Sequence, residues 1–242
     1  MIENTLRPEL TARLHQRLAA FRDGFRHNLA LIGPPGSGKS FQLQRLLAQP
    51  PPGLLLLYCP LYRESCRSFL SRFLCAVLQA GPGLPDTAAA VRTAEQLAAR
   101  RLYGEAFNRA LDTVPVLSQE RGMPCVLIFD EFLFLEELGL GHAFHELGKR
   151  VMTWNSTLFI LSSSACFRAR LILRERLQLL FGQFELLELD AVDRPSAEAW
   201  LQQELRGIRG AREIVPFLLQ WLGRSPWYLA VFLKRFRELA EL

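Results

Sequence analysis

The sequence predicts an α/β fold, in which a parallel sheet covered by helices is followed by a small helical lid. Three observations lead to this prediction. Short apolar runs alternate with stretches of helical periodicity, a glycine-rich loop joins the first run to a helix, and the pattern after Asp193 is helical throughout. Strands that alternate with helices are typical of a parallel sheet buried on both faces. We therefore predict an α/β core over residues 1–190 and a helical lid over residues 191–242.

The first part of the core is predicted to contain two helices and two strands. Apolar residues recur at helical spacing over 8–21, and Asp23-Gly24 ends that pattern. The first strand covers 28–32 and runs directly into the glycine-rich loop. A helix follows the loop, and the second strand covers 54–58.

The rest of the core alternates in the same way. An amphipathic stripe predicts a helix over 66–78, and 88–116 is interpreted as one or two helices broken near Gly104. A helix that ends near Met152 and an arginine-rich helix over 167–180 follow. The three remaining strands are predicted at 125–129, 157–162 and 184–189.

Composition and charge exclude several classes of protein. The 242 residues are 50% hydrophobic, which is typical of a globular chain, and the N-terminus lacks a secretory signal. Every apolar run is shorter than the roughly 20 residues that span a bilayer, so we expect a cytoplasmic protein without membrane contact. The net charge is +5, and only three of the 29 basic residues are lysines. This arginine bias is typical of a GC-rich genome, although it leaves DNA open as a partner.

One segment carries the sharpest chemical signal. Residues 33–40 match G-x-x-x-x-G-K-[ST] in full, between an apolar strand and an amphipathic helix. Such glycines let backbone N–H groups turn inward around an anion, and the helix offers its positive end. Lys39 would reach the terminal phosphates, and the Ser40 hydroxyl would ligate Mg²⁺. The predicted nucleotide-binding residues are Gly33, Pro34, Pro35, Gly36, Ser37, Gly38, Lys39, Ser40 and Phe41.

Two adjacent carboxylates end the third predicted strand. Four apolar residues over 126–129 lead into Asp130-Glu131. In enzymes with this phosphate-binding loop, a carboxylate at the tip of a buried strand holds Mg²⁺, and a second one can deprotonate the attacking water. We therefore predict that Asp130 organises the metal and that Glu131 is the general base.

These motifs together resemble the P-loop ATPases of the AAA+ and STAND groups, including the origin-recognition and archaeal types. The segment over 21–40 is similar to the lead-in of those proteins. Residues 223–229, Gly-Arg-Ser-Pro-Trp-Tyr-Leu, resemble the Gly-x-x-Pro-x-Tyr-Leu segment of their lid. The resemblance covers nearly the whole chain. It implies a five-stranded sheet of order 5-1-4-3-2, with ATP and Mg²⁺ as the bound cofactors.

The same resemblance implies further site residues. A sensor residue is expected at the tip of the fourth strand, where this chain has three serines over 162–164. Ser163 is predicted to contact the attacking water or the terminal phosphate, but a serine here equally suits a cap of the next helix. Pro226 is expected against the adenine, and Arg224 is either a lid sensor or a solvated side chain.

The chain departs from the family pattern before the fifth strand. Family members that complete their sites with a neighbouring subunit often carry an arginine there, whereas residues 180–183 read Leu-Phe-Gly-Gln. An arginine finger can supply a large part of the rate of phosphoryl transfer, so we expect slow hydrolysis. The arginines that could substitute, or else face DNA or solvent, are Arg168, Arg170, Arg174 and Arg176.

Three functions fit these observations. The main prediction is an ATPase that couples the nucleotide state to lid movement, either in a DNA-associated assembly or as a signalling or defence switch. The alternative is a nucleotide-binding module of a larger complex that is not an enzyme. A GTPase is disfavoured because the chain lacks Asn-Lys-x-Asp. The sequence leaves DNA, a second copy of the chain and another protein open as partners.

Overall fold

The computed structural model describes residues 7–175, 184–208 and 211–240. Within these residues the five strands are β1 (Asn28–Ile32), β2 (Leu55–Pro60), β3 (Cys125–Asp130), β4 (Thr157–Ser163) and β5 (Phe184–Glu188). The helices of the core are α1 (Pro8–Arg22), α2 (Lys39–Ala48), α3 (Cys66–Ala80), α4 (Pro85–Ala99), α5 (Tyr103–Arg121), α6 (Ala143–Thr153) and α7 (Cys166–Glu175). Those of the lid are α8 (Arg194–Glu204), α9 (Ala211–Trp221) and α10 (Pro226–Ala240).

The five strands form one parallel sheet. Their order is β2-β3-β4-β1-β5, which confirms the predicted order 5-1-4-3-2. In the register Ile128 lies opposite Tyr58 on one side and Ile160 on the other. Because the strands are parallel, their carboxyl ends meet at one edge of the sheet, where ligands bind in open α/β folds.

Each face of the sheet is covered by a separate apolar cluster. The cluster under α1 and α2 includes Val126 and Ile128 of β3, whereas Leu127 and Phe129 belong to the cluster under α3, α5 and α6. Successive residues of a strand point to opposite faces. Side chains at the ends of β3 and β4 are therefore divided between the two faces, and this division decides which of them can meet.

The lid has an apolar cluster of its own. Its fully buried members include Leu201 of α8 and Leu229 of α10. Asp193 caps α8, because its carboxylate accepts a hydrogen bond of 2.8 Å from the Ser196 N–H. The boundary that we predict near residue 191 falls in the short segment between β5 and α8.

The described elements differ from the predicted ones at the break between α4 and α5 and in the bounds of β2. The break predicted near Gly104 lies at 100–102, because α4 ends at Ala99 and Arg101 then adopts the left-handed conformation, with a φ of 61°. The Leu102 N–H donates a hydrogen bond of 3.0 Å to the Leu97 carbonyl, and this bond ends the helix. Strand β2 is shifted toward its carboxyl end. The arginine-rich helix is described only as far as Glu175.

None of the described helices is both long and apolar enough to cross a membrane. Three predicted features lie outside the described residues. They are the end of the arginine-rich helix, the Arg176 side chain and the segment over 180–183 that replaces the expected arginine.

Candidate functional site

The loop between β1 and α2 has a backbone that requires its glycines. Gly36 and Gly38 have φ angles of 75° and 95°, in the left-handed region that residues with side chains disfavour. At Gly33 an added Cβ would lie 2.5 Å from the Leu189 carbonyl oxygen, which is too close for any side chain. The loop therefore packs directly against the chain that follows β5.

Lys39, the first residue of α2, lies buried beneath this loop. Its Nζ donates hydrogen bonds of 2.7 Å to the Gly33 carbonyl and 3.2 Å to the Pro34 carbonyl. Burial lowers the pKa of Lys39, and the charges of Glu131 and Asp130 partly oppose that shift. Phosphate oxygens make stronger, charge-assisted hydrogen bonds with an ammonium group than carbonyl oxygens do. The amine is thus held where a bound phosphate would be its better acceptor.

Asp130, the last residue of β3, is held by two hydroxyl groups. Tyr58 donates a hydrogen bond of 2.7 Å to Oδ2, and Ser162 donates one to Oδ1. Burial raises the pKa of Tyr58, and its hydrogen bond to Asp130 adds to that shift. Sequence reasoning missed both partners, because it considered the Asp-Glu pair without its neighbouring strands.

Glu131 combines a strained backbone with a fixed side chain. Its φ of 59° makes it, with one arginine, one of two non-glycine residues in the described chain with a positive φ. Its Oε2 accepts hydrogen bonds of 2.9 Å from the Ser164 N–H and 3.0 Å from the Ser164 hydroxyl. Its Oε1 lies 4.0 Å from Lys39 Nζ. The candidate base is therefore directed toward the loop.

The three serines at the end of β4 have different partners. The Ser162 hydroxyl lies between the two acids, since it donates to Asp130 and accepts the Glu131 N–H at 3.2 Å. The buried Ser163 hydroxyl accepts the Ala165 N–H at 3.2 Å, in a turn that precedes α7, so this bond does not cap the helix. Ser164 contacts the Glu131 carboxylate and lines the cavity beside the loop.

The lid contacts the loop at Gly36. The Gly36 carbonyl accepts hydrogen bonds of 3.2 Å from the Ser225 hydroxyl and 3.3 Å from the Trp227 N–H. An added Cβ at Gly38 would lie 3.8 Å from the Pro226 ring, so the lid proline packs beside the second glycine. These contacts place the start of α10 over the loop.

A cavity of about 390 Å³ lies between the loop and the lid. Its core wall is formed by Pro35, Gly36, Ser37, Gly38, Lys39, Ser40, Phe41, Gln42, Glu131 and Ser164. Arg7 and the lid residues Trp200, Pro226, Trp227 and Ala230 complete the lining. The structure thus brings most of the predicted site residues around one cavity, whereas Gly33, Pro34, Asp130 and Ser163 are not part of its lining.

Arg7 is a lining residue that the sequence did not reveal. Its guanidinium donates to the Asp190 carbonyl. Burial lowers the pKa of Arg7, while the nearby carboxylates of Asp190 and Asp193 oppose the shift. It lies in the first described residues before α1 and has no motif around it, so only the folded chain connects it to the site.

The donor groups at the sheet edge suit a hard divalent cation. Ser40 and Asp130 offer oxygen ligands, which Mg²⁺ prefers. The partners of Asp130 that the structure shows, Tyr58 and Ser162, are neutral hydroxyls that orient the carboxylate without cancelling its charge. Ser40 and Asp130 would therefore hold a magnesium ion together with the phosphates of a nucleotide.

Two arginines that could replace the missing finger are engaged in ion pairs. Arg168 pairs with Glu136, and Arg170 donates two hydrogen bonds of 2.9 Å to Glu188. Both lie on α7 near the edge of the site. Each would have to leave its carboxylate to reach a phosphate at the cavity.

The fold is similar to several solved nucleotide-binding proteins. The ORC2 protein of Aeropyrum pernix in its ADPNP and ADP complexes aligns with a TM-score of 0.67 at 20% identity, over 99% of this chain and 64% of that one. The ORC1 protein of A. pernix in complex with DNA aligns with a TM-score of 0.60 at 19% identity, over 94% and 58%.

A Walker-type ATPase of Pyrococcus abyssi aligns with a TM-score of 0.57 at 16% identity, over 96% of this chain and 67% of that one. The chain thus spans from 58% to 67% of the length of these three structures. No curated protein matches the sequence.

The sequence profile of the AAA domain family matches residues 24–172, which include the loop, Asp130, Glu131 and β4. This match covers more than half of the chain. The chain therefore belongs to the AAA domain family, and its fold is that of the origin-recognition type of P-loop ATPase.

Proposed function

We propose that the chain binds Mg-ATP in the cavity between loop and lid, hydrolyses it slowly in the cytoplasm, and couples the nucleotide state to the position of the lid. One observation carries this proposal. Lys39, Ser40 and Glu131 line the same cavity, and Asp130, which precedes Glu131 at the end of β3, is close enough for its charge to act on Lys39. These are the groups that phosphate binding, metal binding and water activation require.

The phosphate end of the cavity is formed by the core. The backbone N–H groups of residues 33–40 and the start of α2 favour an anion. Lys39 would exchange its carbonyl acceptors for phosphate oxygens. Ser40 and Asp130 would hold magnesium, which would neutralise charge on the transferred phosphoryl group. Pro226 and the neighbouring lid residues would cover the adenine ring of the nucleotide.

Glu131 is proposed as the general base. Its carboxylate faces the loop, and a base in this position would take the proton of the attacking water. Ser164 holds the carboxylate through two hydrogen bonds. Our proposal therefore gives the sensor role at the tip of β4 to Ser164, since Ser164 lines the cavity whereas the Ser163 side chain is buried and is not part of its lining.

Slow hydrolysis follows from the arginines near the site. Arg168 and Arg170 are committed to ion pairs, and residues 180–183 carry no arginine that could serve as a finger. A partner or duplex DNA that shifts these contacts would raise the rate. DNA is included in the proposal because one structure similar in fold, A. pernix ORC1, is a complex with DNA.

The first experiment measures ATP binding and turnover with and without duplex DNA. In Lys39→Ala we expect ATP binding to be lost, because the lysine charge directly stabilises the phosphates. Lys149→Ala is the matched control, since Lys149 is exposed and pairs with Glu146. A folded Lys39→Ala variant with wild-type ATP affinity would contradict the assignment of the site.

The second experiment separates the roles of the two acids. Glu131→Gln keeps the size of the side chain and removes the base, so we expect ATP binding to persist and turnover to fall about a hundredfold. Asp130→Ala should weaken the Mg²⁺ dependence of ATP binding. Glu137→Gln, an exposed neighbour, is the control. Full turnover by Glu131→Gln would rule out the base, and a wild type that binds ATP without any turnover would favour a module that is not an enzyme.

A further inference from the structure

We propose that Tyr58, together with Ser162, positions Asp130 for the metal. The inference rests on the proposed function and adds a residue to it, since Tyr58 belongs to none of the sequence motifs. Tyr58 touches neither phosphate nor metal in this scheme. It acts through the carboxylate of Asp130 and is therefore a positioning residue.

The sheet register brings Tyr58 to Asp130. Tyr58 of β2 lies opposite Ile128 of β3, two residues before Asp130. Residues two apart on a strand share one face, so the tyrosine ring and the Asp130 carboxylate lie on the same side of the sheet. A diagonal neighbour of this kind is within reach of a long aromatic side chain. The resulting hydrogen bond from the phenol to Oδ2 is 2.7 Å.

The second hydroxyl fixes the other carboxylate oxygen. Ser162 follows Ile160 onto the same face, and its hydroxyl donates to Oδ1 of Asp130. The same hydroxyl accepts the Glu131 N–H. Rotation of the carboxylate would break one or both of these bonds, so its orientation is determined from two sides.

This arrangement leaves the Asp130 carboxylate able to bind a cation. Each carboxylate oxygen has about two lone pairs, and one hydroxyl donor occupies only one of them. The remaining lone pairs can accept a metal ion or a metal-bound water. Groups that orient a metal-binding side chain typically change metal affinity by about tenfold or more when they are removed.

The alternative role of Tyr58 is packing alone. Its ring is partly buried against the cluster under α1 and α2. Tyr58→Phe keeps the ring and removes only the hydroxyl, so it separates the two roles. A packing role predicts the same change in ATP affinity with and without Mg²⁺, whereas positioning predicts a change only with Mg²⁺.

The experiment measures the dissociation constant of ATP by calorimetry, in Mg²⁺ and in EDTA, for the full chain. The Mg²⁺-dependent gain in affinity is compared among wild type, Tyr58→Phe and Ser162→Ala. Tyr62→Phe is the matched control, because Tyr62 is exposed and its ring lies against Arg72. Circular dichroism confirms folding of each variant.

We expect Tyr58→Phe and Ser162→Ala to lose about tenfold of the Mg²⁺-dependent gain, with the affinity in EDTA unchanged. Tyr62→Phe should match the wild type. If Tyr58→Phe does not fold, Ser162→Ala decides alone. An unchanged gain, or equal losses with and without Mg²⁺, overturns the positioning role while the proposed function stands. A wild type without any Mg²⁺-dependent gain overturns both.

Discussion

The cavity has one wall from the sheet edge and one from the lid, and the two differ in what their side chains contact. On the sheet edge, Lys39, Glu131 and the adjacent Asp130 are held by hydrogen bonds within the core. The lid wall is formed by Trp200, Pro226 and other apolar side chains.

This difference separates two tasks. Polar groups that already have defined partners keep a fixed geometry for phosphate and metal. Apolar side chains stabilise a bound ligand by covering it, without fixing its orientation. We therefore expect changes in the core wall to alter folding, phosphate binding, metal dependence or turnover, and changes in the lid wall to alter ATP affinity without changing the metal dependence.

The largest effect is expected at Gly33, where the loop packs against the chain that follows β5. In Gly33→Ala the new methyl group would collide with the Leu189 carbonyl, its Cβ and the Ser37 hydroxyl. We expect the free energy of unfolding to fall by about 3 kcal/mol in urea denaturation. Gly104→Ala is the control, because its Cβ would have a nearest contact of 3.9 Å and it lies in a helix. Equal stability of the two variants would show that the loop is not tightly packed.

A smaller effect is expected where the core leads into the lid. Glu185 of β5 accepts a hydrogen bond of 2.6 Å from Arg13 and another from Arg17. Burial would raise the pKa of Glu185, but these bonds outweigh it and the pKa is lowered. The folded state therefore binds fewer protons, and the stabilisation is present above the unfolded pKa and disappears as the pH falls through the folded one.

Glu185→Gln should therefore lower the free energy of unfolding by about 1.5 kcal/mol at pH 7. The difference from the wild type should shrink below the unfolded pKa of about 4.5. Urea denaturation at several pH values measures both. Glu238→Gln, which breaks a more exposed pair with Arg235, should change stability little. A deficit at Glu185→Gln that does not depend on pH would refute the assigned cause.

The lid wall is tested at Trp227. Trp227→Ala removes an apolar ring from the cavity lining and leaves the core wall intact. We expect ATP affinity to fall about fivefold, which is about 1 kcal/mol, with an unchanged Mg²⁺-dependent gain. Trp221→Ala, an exposed tryptophan of α9 outside the described lining, is the control. A loss of metal dependence at Trp227→Ala would break the division between the two walls.

The smallest effect is expected at the contact between the walls. Ser225→Ala removes one of the two described donors to the Gly36 carbonyl, and the Trp227 N–H remains. We expect a loss of about 0.5 kcal/mol, or about twofold in ATP affinity, by calorimetry. Ser71→Ala on the exposed side of α3 serves for comparison. A tenfold loss would mean that this hydrogen bond determines lid closure.

Much of the core could be predicted from sequence because its signals are local. The loop motif, the apolar runs of the strands and the Asp-Glu pair lie within short segments, and the resemblance supplied the strand order. The break between α4 and α5 was harder to place. Arg101 adopts the left-handed conformation that a glycine usually marks, so no glycine indicated the end of α4.

The partners of the site residues could not be predicted in the same way. Strand β4 is buried on both faces, so its apolar residues do not show which serine shares a face with Asp130. Tyr58 reaches Asp130 only through the pairing of β2 with β3. Arg7 and Trp200 come from opposite ends of the chain and meet only at the cavity. Each of these contacts depends on tertiary register rather than on spacing along the sequence.

The separate apolar cluster of the lid has a consequence for amide hydrogen exchange. Residues that pack within one cluster tend to open together as one cooperative unit, with a smaller free energy than global unfolding. The amides of α8 and α10 should then exchange as a group and faster than those of β1, β3 and β4. A nucleotide that bridges the cavity would slow exchange in α10 as well as in the loop. The protection of the α10 amides would then show whether the cavity holds a nucleotide.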